Sequence, residues 1–256
     1  MDQEIALTYV RKRKRRKRAA IISGISSIGI AIFLIIAFCM IQIDRFTITI
    51  DKSPGICLSI DNRLEQDERP TYSEVQKTTQ LAALPLLRAT DTQYKSEYGN
   101  GIPEDIENGV GDKNTYHYFA YSFYLGGEPS ATTSLINYEM DMYIKGLDDI
   151  SQGIGKAIKI MIVRNGIKDV YAARYEDGSA KPIYYSENTG IPKEQAEKIG
   201  YAIPFHDNKH IILQPYAVVP GEFDKFTVVI WIDGWESDDS MKGENFSAEL
   251  KFSTKI

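Results

Sequence analysis

The chain has 256 residues, 43% hydrophobic and 25% charged, with two cysteines and a formal net charge of −5. That is enough for one sizeable core but not for a disulfide framework, and the acidic balance excludes polyanions such as DNA as natural partners. The charge is unevenly spread: of 30 basic and 35 acidic residues, eight basic and two acidic ones fall in the first eighteen positions, leaving 22 and 33 beyond.

Arg11 to Arg18 reads RKRKRRKR, and Ala19 to Ile43 contains no Asp, Glu, Lys or Arg. As a helix this uncharged stretch reaches about 37 Å, more than the ~30 Å hydrocarbon core of a bilayer. It is longer than the apolar segment of a cleaved signal peptide, about 7–15 residues, and ends in bulky side chains where a signal peptidase needs small ones. Phe38 likewise stands where lipidation of Cys39 would require a small residue. The expectation is a basic cytoplasmic tail over 1–18, an uncleaved anchor helix over 19–43 and an extracellular domain over 44–256, held in the plasma membrane with its N-terminus inside. The lipid bilayer is then the first partner. Ser23, Ser27 and Ala31 make a small-residue row that lets helices approach, but such residues are common in membrane helices and this row alone assigns no partner.

Beyond Asp44 strand patterning dominates. Phe46, Ile48 and Ile50 alternate with Thr47 and Thr49, and Ile56 to Ile60 repeats the pattern after Ser53-Pro54-Gly55. Tyr116 to Leu125 sets His117, Phe119, Tyr121, Phe123 and Leu125 on one face. Ile136, Tyr138, Met140, Met142 and Ile144 form another row. Ile158 to Val163 is nearly continuous in apolar residues, as in a strand buried on both faces. Asn165-Gly166 then predicts a two-residue hairpin turn into Val170 to Tyr175. Ile183 to Tyr185 and Ile211 to Val219 are weaker strands, with Pro182 and Pro215 marking edges or bulges. Phe226 to Ile232 and Phe246 to Phe252 close the series. Two stretches carry helical patterning: Tyr72 to Arg88, interrupted by Pro85, and Pro192 to Ile199, with proline at its first position. Asp91 to Asn114 reads as a long loop. About nine or ten strands with little helix predict an all-β domain of two packed antiparallel sheets. Cys57 is the one cysteine outside the apolar stretch, so core packing must hold the domain.

Three segments together carry a family resemblance: Tyr116-His-Tyr-Phe-Ala-Tyr-Ser-Phe-Tyr-Leu-Gly-Gly127; Lys156 to Val163 with Val170 to Arg174; and Phe226-Thr-Val-Val-Ile-Trp-Ile-Asp-Gly-Trp235 with Leu250-Lys-Phe252. Their order and spacing resemble the TasA/camelysin-like surface and biofilm-matrix proteins of Gram-positive bacteria. The resemblance covers roughly Tyr116 to Phe252. It implies a jelly-roll sandwich, and a role in adhesion, matrix assembly or envelope scaffolding alongside other surface or matrix proteins, with weak self-association. Secreted matrix members carry a cleavable signal, whereas the apolar stretch here does not look cleavable, which favours a tethered relative. The strand Phe46 to Asp51 is therefore expected to stay in its own core instead of being lent to a neighbour.

Camelysin-like proteins have been called metallopeptidases, which sets a second reading, an envelope hydrolase; a ligand-binding sensor subunit is a third. His206 and His210 are the only histidines spaced like the zinc pair of His-Glu-x-x-His, but Asp207 stands where the general-base Glu would be. They are metal candidates only, with an incidental polar loop as the plainer reading. His117 reads as a core-edge residue. Asp233, Glu236, Asp238 and Asp239, with Glu244 behind them, offer hard oxygen ligands for calcium, without EF-hand spacing. Solvated acidic loops are the commoner case. There is no phosphate loop, nucleophile elbow or cysteine cluster, so no catalytic residue and no required cofactor is assigned, and a non-enzymatic function is expected.

Overall fold

A computed structural model describes residues 45–51, 55–85, 102–113, 115, 118–145, 149–185, 192–241, 244 and 246–254. The basic run, the uncharged stretch, His117 and the first half of the expected long loop lie outside these residues. Among the described residues no helix is long and apolar enough to cross a membrane.

The alternating runs form strands. In chain order they are β1 (Arg45–Ile50), β2 (Ile56–Ser59), β3 (Gln80–Pro85), β4 (Gly111–Asp112), β5 (Phe119–Gly127), β6 (Ile136–Lys145), β7 (Ile158–Arg164), β8 (Ile167–Ala172), β9 (Pro182–Tyr185), β10 (Glu197–Tyr201), β11 (Ile203–Pro204), β12 (His210–Val218), β13 (Phe223–Ile232) and β14 (Ser247–Thr254). One sheet runs β12-β6-β14-β1-β3 and the other β11-β8-β7-β13-β5-β2, with β4 beside β5; β9 and β10 make a separate ladder. The fold is all-β, as the periodicity predicts.

The sheets are mixed rather than purely antiparallel, which corrects the sequence-based expectation. β1 pairs β14 in parallel, Ile48 opposite Leu250, and β11 pairs β8 in parallel. A hairpin forces two strands antiparallel, but β1 and β14 lie at opposite ends of the domain and no turn fixes their direction. The Asn165-Gly166 turn is as expected: both residues have positive φ, 49° and 84°, and Arg164 faces Ile167 across it.

Neither expected helix forms among the described residues. The first segment passes through turns into β3, whose Gln80 to Ala82 pair with β1. The second holds one 3-10 turn, Lys193–Gln195, and then becomes β10. Its residues are mostly exposed, so a helix there would have no apolar stripe to bury, and a segment this short nucleates poorly alone.

The inner faces meet in an aromatic seam. Phe252 of β14 touches Phe123 of β5 (5.9 Å) and Phe226 of β13 (5.5 Å), and Phe46 of β1 meets Phe119 of β5 at 4.9 Å. Phe46, Ile48, Phe123, Phe226, Leu250 and Phe252 are all fully buried. The outer face of the second sheet is covered too: Met161, Val163, Val229 and Trp231 pack with Ile102, Ile106 and Tyr118. Two-sided burial explains the unbroken apolar run of β7.

Phe252→Ala removes the ring shared by both sheets. It is expected to cost about 3–5 kcal/mol, read as a lower urea midpoint with an unchanged slope. A loss below about 1 kcal/mol would show that the seam does not hold the sheets together.

Candidate functional site

The acidic segment that follows β13 is the richest cluster of ionisable groups singled out by the sequence. The Asp233 N–H donates to Ala157 O at 2.6 Å, extending the β13–β7 ladder by one rung. Its side chain is 2% exposed. One oxygen accepts the Trp235 N–H at 3.0 Å, and the other pairs with the Lys159 ammonium. Lys159, on β7 and 4% exposed, also donates to Pro182 O at 3.1 Å. One turn further, Glu236 accepts from Lys181 Nζ and from the Tyr175 hydroxyl, both at 3.1 Å. Lys181 is buried and donates in addition to Lys156 O at 2.5 Å. Burial, reinforced by the Glu236 carboxylate, pushes the Tyr175 hydroxyl up to about 12.

The remaining acids point elsewhere. Asp238 caps its own turn, accepting from the Ser240 N–H (2.8 Å) and hydroxyl. Asp239 opens the short 3-10 turn Asp239–Met241. Glu244 accepts the Ile154 N–H at 2.7 Å and lies over Gly153, where a Cβ would fall 2.7 Å from its carboxylate oxygen. Asp233, Glu236, Asp238 and Glu244 are thus each engaged by a different partner. Among the described residues no three His, Cys, Asp or Glu side chains come together as an ion site.

His206 and His210 sit on a tight turn leading into β12, not on a helix. The His206 N–H bonds Ile211 O, while Asp207 accepts the backbone N–H groups of Lys209 and His210 at 2.7 Å each. His206 is exposed. His210 instead meets Asp141 of β6, Nδ1 to Oδ1 at 2.7 Å, and tilts against the Tyr143 ring. The Asp141 hydrogen bond raises the imidazole above its usual range, helped by the charges of Asp141 and Asp207 and opposed by partial burial and Lys209.

Two hollows flank the outer face of the second sheet. A polar one of about 640 Å³ is bordered by Ser151, Lys156, Arg174, Tyr175, Lys181 and Glu236. A more apolar one of about 650 Å³ lies among Ile102, Met161, Val170, Ile183, Tyr201 and Ile203. Sequence reasoning did not single out Lys159, Lys181, Tyr175 or Asp141. Lys159 carries a readable signal, a cation inside a run otherwise buried on both faces, which demands a partner. The others become visible only once strands far apart in sequence are paired.

No protein-family model matches the sequence, and no curated protein matches it significantly.

His210 bears on pH dependence. Its proton is held more tightly in the folded state, so its contribution to stability is full below the ordinary histidine range, near pH ~6.5, and is lost as pH rises through the raised folded value. The thermal midpoint should therefore fall across that window in the native protein. Asp141→Asn should flatten this part of the profile, and an identical profile in the variant would remove His210 as the cause.

Proposed function

We propose that this chain is a single-pass surface protein whose N-terminus stays in the cytoplasm and whose all-β domain is displayed outside the plasma membrane. It works by contact, in adhesion, matrix assembly or envelope scaffolding, and not by chemical turnover. The observation that carries the reading is the junction in the sequence: eight consecutive basic residues, then 25 uncharged ones, then β1 starting at Arg45. Positive flanks are retained on the cytoplasmic side, and an uncharged stretch of this length spans the hydrocarbon. The similarity of Tyr116 to Phe252 to the TasA/camelysin-like proteins points the same way and brings the jelly-roll description with it.

Two further features favour a tethered structural role. β1 is hydrogen-bonded on both sides, to β14 and to β3, with Phe46 and Ile48 fully buried, so this strand is engaged within its own sheet. Asp233, Glu236 and His210 are engaged in ion pairs, and Asp238 and Glu244 accept backbone N–H groups, an arrangement suited to rigidity.

Cell fractionation with protease protection tests the topology. The chain should sediment with membranes and resist alkaline extraction. Protease added to intact cells should destroy a C-terminal epitope and spare an N-terminal one. A C-terminal domain that is digested only after the membrane is broken would overturn the proposal. The non-enzymatic part has its own test: casein hydrolysis by the purified protein that disappears in the His206→Ala, His210→Ala double variant would establish the hydrolase reading instead.

A further inference from the structure

We propose that Lys159 and Asp233 become joined by an intramolecular isopeptide bond. The two side chains are the most deeply buried oppositely charged pair among the described residues, with side-chain exposures of 4% and 2%. Lys159 lies on β7 opposite Trp231 in the β7–β13 ladder, and Asp233 is the first residue past β13, two positions beyond Trp231. Trp231, itself 3% exposed, belongs to the apolar cluster on this face, and Pro182 closes over the lysine from β9. Two full charges held away from water carry a large desolvation cost, which their mutual attraction offsets only in part.

Condensation removes both charges and keeps the hydrogen bonds already present. An amide between Nζ and Cγ has one N–H and one C=O. The surroundings supply one acceptor beside the nitrogen, Pro182 O at 3.1 Å, and one donor to the second carboxylate oxygen, the Trp235 N–H at 3.0 Å. The same Trp235 N–H faces the oxygen on which negative charge builds during attack. Both reacting groups stand on rigid paired backbone, since the Asp233 N–H is itself bonded to Ala157 O. Effective molarities on the order of 10⁵–10⁸ M are reached by well-oriented intramolecular pairs of this kind.

The step balances without a co-reactant. One ammonium proton passes to the Asp233 carboxylate, freeing the nitrogen lone pair. The nitrogen attacks Cγ and a C–N bond forms. The C–O bond then breaks, and the protonated oxygen departs with a second nitrogen proton as one molecule of water. Nothing is oxidised or reduced.

Mass spectrometry of the full-length chain, extracted in detergent and denatured, tests this directly. The intact mass should be lower than that of the sequence by one water. Trypsin should fail to cut after Lys159 and should release segment 157–164 joined to segment 226–242 as one branched species, with fragmentation placing the link on Asp233. Lys159→Arg, which keeps the charge, should restore the full mass, whereas Lys181→Arg, at the adjoining pair with Glu236, should not. Separate peptides 157–159, 160–164 and 226–242, all at full mass, would overturn the proposal. So would water loss confined to the 226–242 peptide alone, the signature of Asp233 cyclising onto Gly234. The wild-type measurement decides the matter even if a variant fails to fold.

Discussion

The packing of the two sheets depends on the ring of Phe252. This residue lies on the last strand, it is fully buried, and its ring meets Phe123, Phe226 and Tyr138. Such ring pairs contribute about 0.5–1.5 kcal/mol each beyond the area they bury. In a domain with a single free cysteine, Cys57, this seam takes the place of a staple. Because β14 carries Phe252 while pairing with both β6 and β1, the chain's last strand locks its first one into the sheet.

Charge is used at the two ends of one ladder. Asp224 at the start of β13 accepts from Arg164 Nη2 (2.7 Å), Asn165 Nδ2 (2.8 Å) and the Tyr138 hydroxyl (3.1 Å). Asp233, just past the end of β13, takes Lys159. Arg164 and Lys159 stand near opposite ends of β7, so the β7–β13 pairing is pinned by an ion pair at each end. A one-residue slip would turn Val228 and Ile230 out of the seam and separate both pairs at once. The cations therefore specify register where apolar residues alone, present on both faces of β7 and β13, would specify it weakly.

The strand content was legible because alternation is a local property. Ile136 to Ile144 and Phe246 to Phe252 are buried on the faces their spacing assigns. What local pattern could not reveal was direction and partnership. Nothing near Ile48 indicates that its partner is Leu250, on a strand that runs parallel to its own. The two helical readings failed for a related reason. Good helix formers in Tyr72 to Arg88 and Pro192 to Ile199 were outweighed by a sheet edge beside β1 and by the absence of an apolar stripe. The candidate ion ligands were grouped by proximity in sequence, whereas the fold sends Asp233, Glu236 and Glu244 to three different partners: Lys159, Lys181 with Tyr175, and the backbone at Ile154.

The placement of β1 bears on what an N-terminal tether would do. Force applied at Arg45 enters β1 first. β1 is an interior strand of its sheet, bonded to β14 on one side and β3 on the other, with Phe46 and Ile48 gripped by the seam. Load along such a strand must shear two ladders together instead of opening one edge bond by bond, and resistance to forced unfolding is governed by the unfolding barrier. The parallel β1–β14 pairing adds to this, because it ties the loaded strand to the strand that closes the core. Under the proposed topology, load from an anchor would therefore meet a strand whose Phe46 and Ile48 are fully buried between the two sheets.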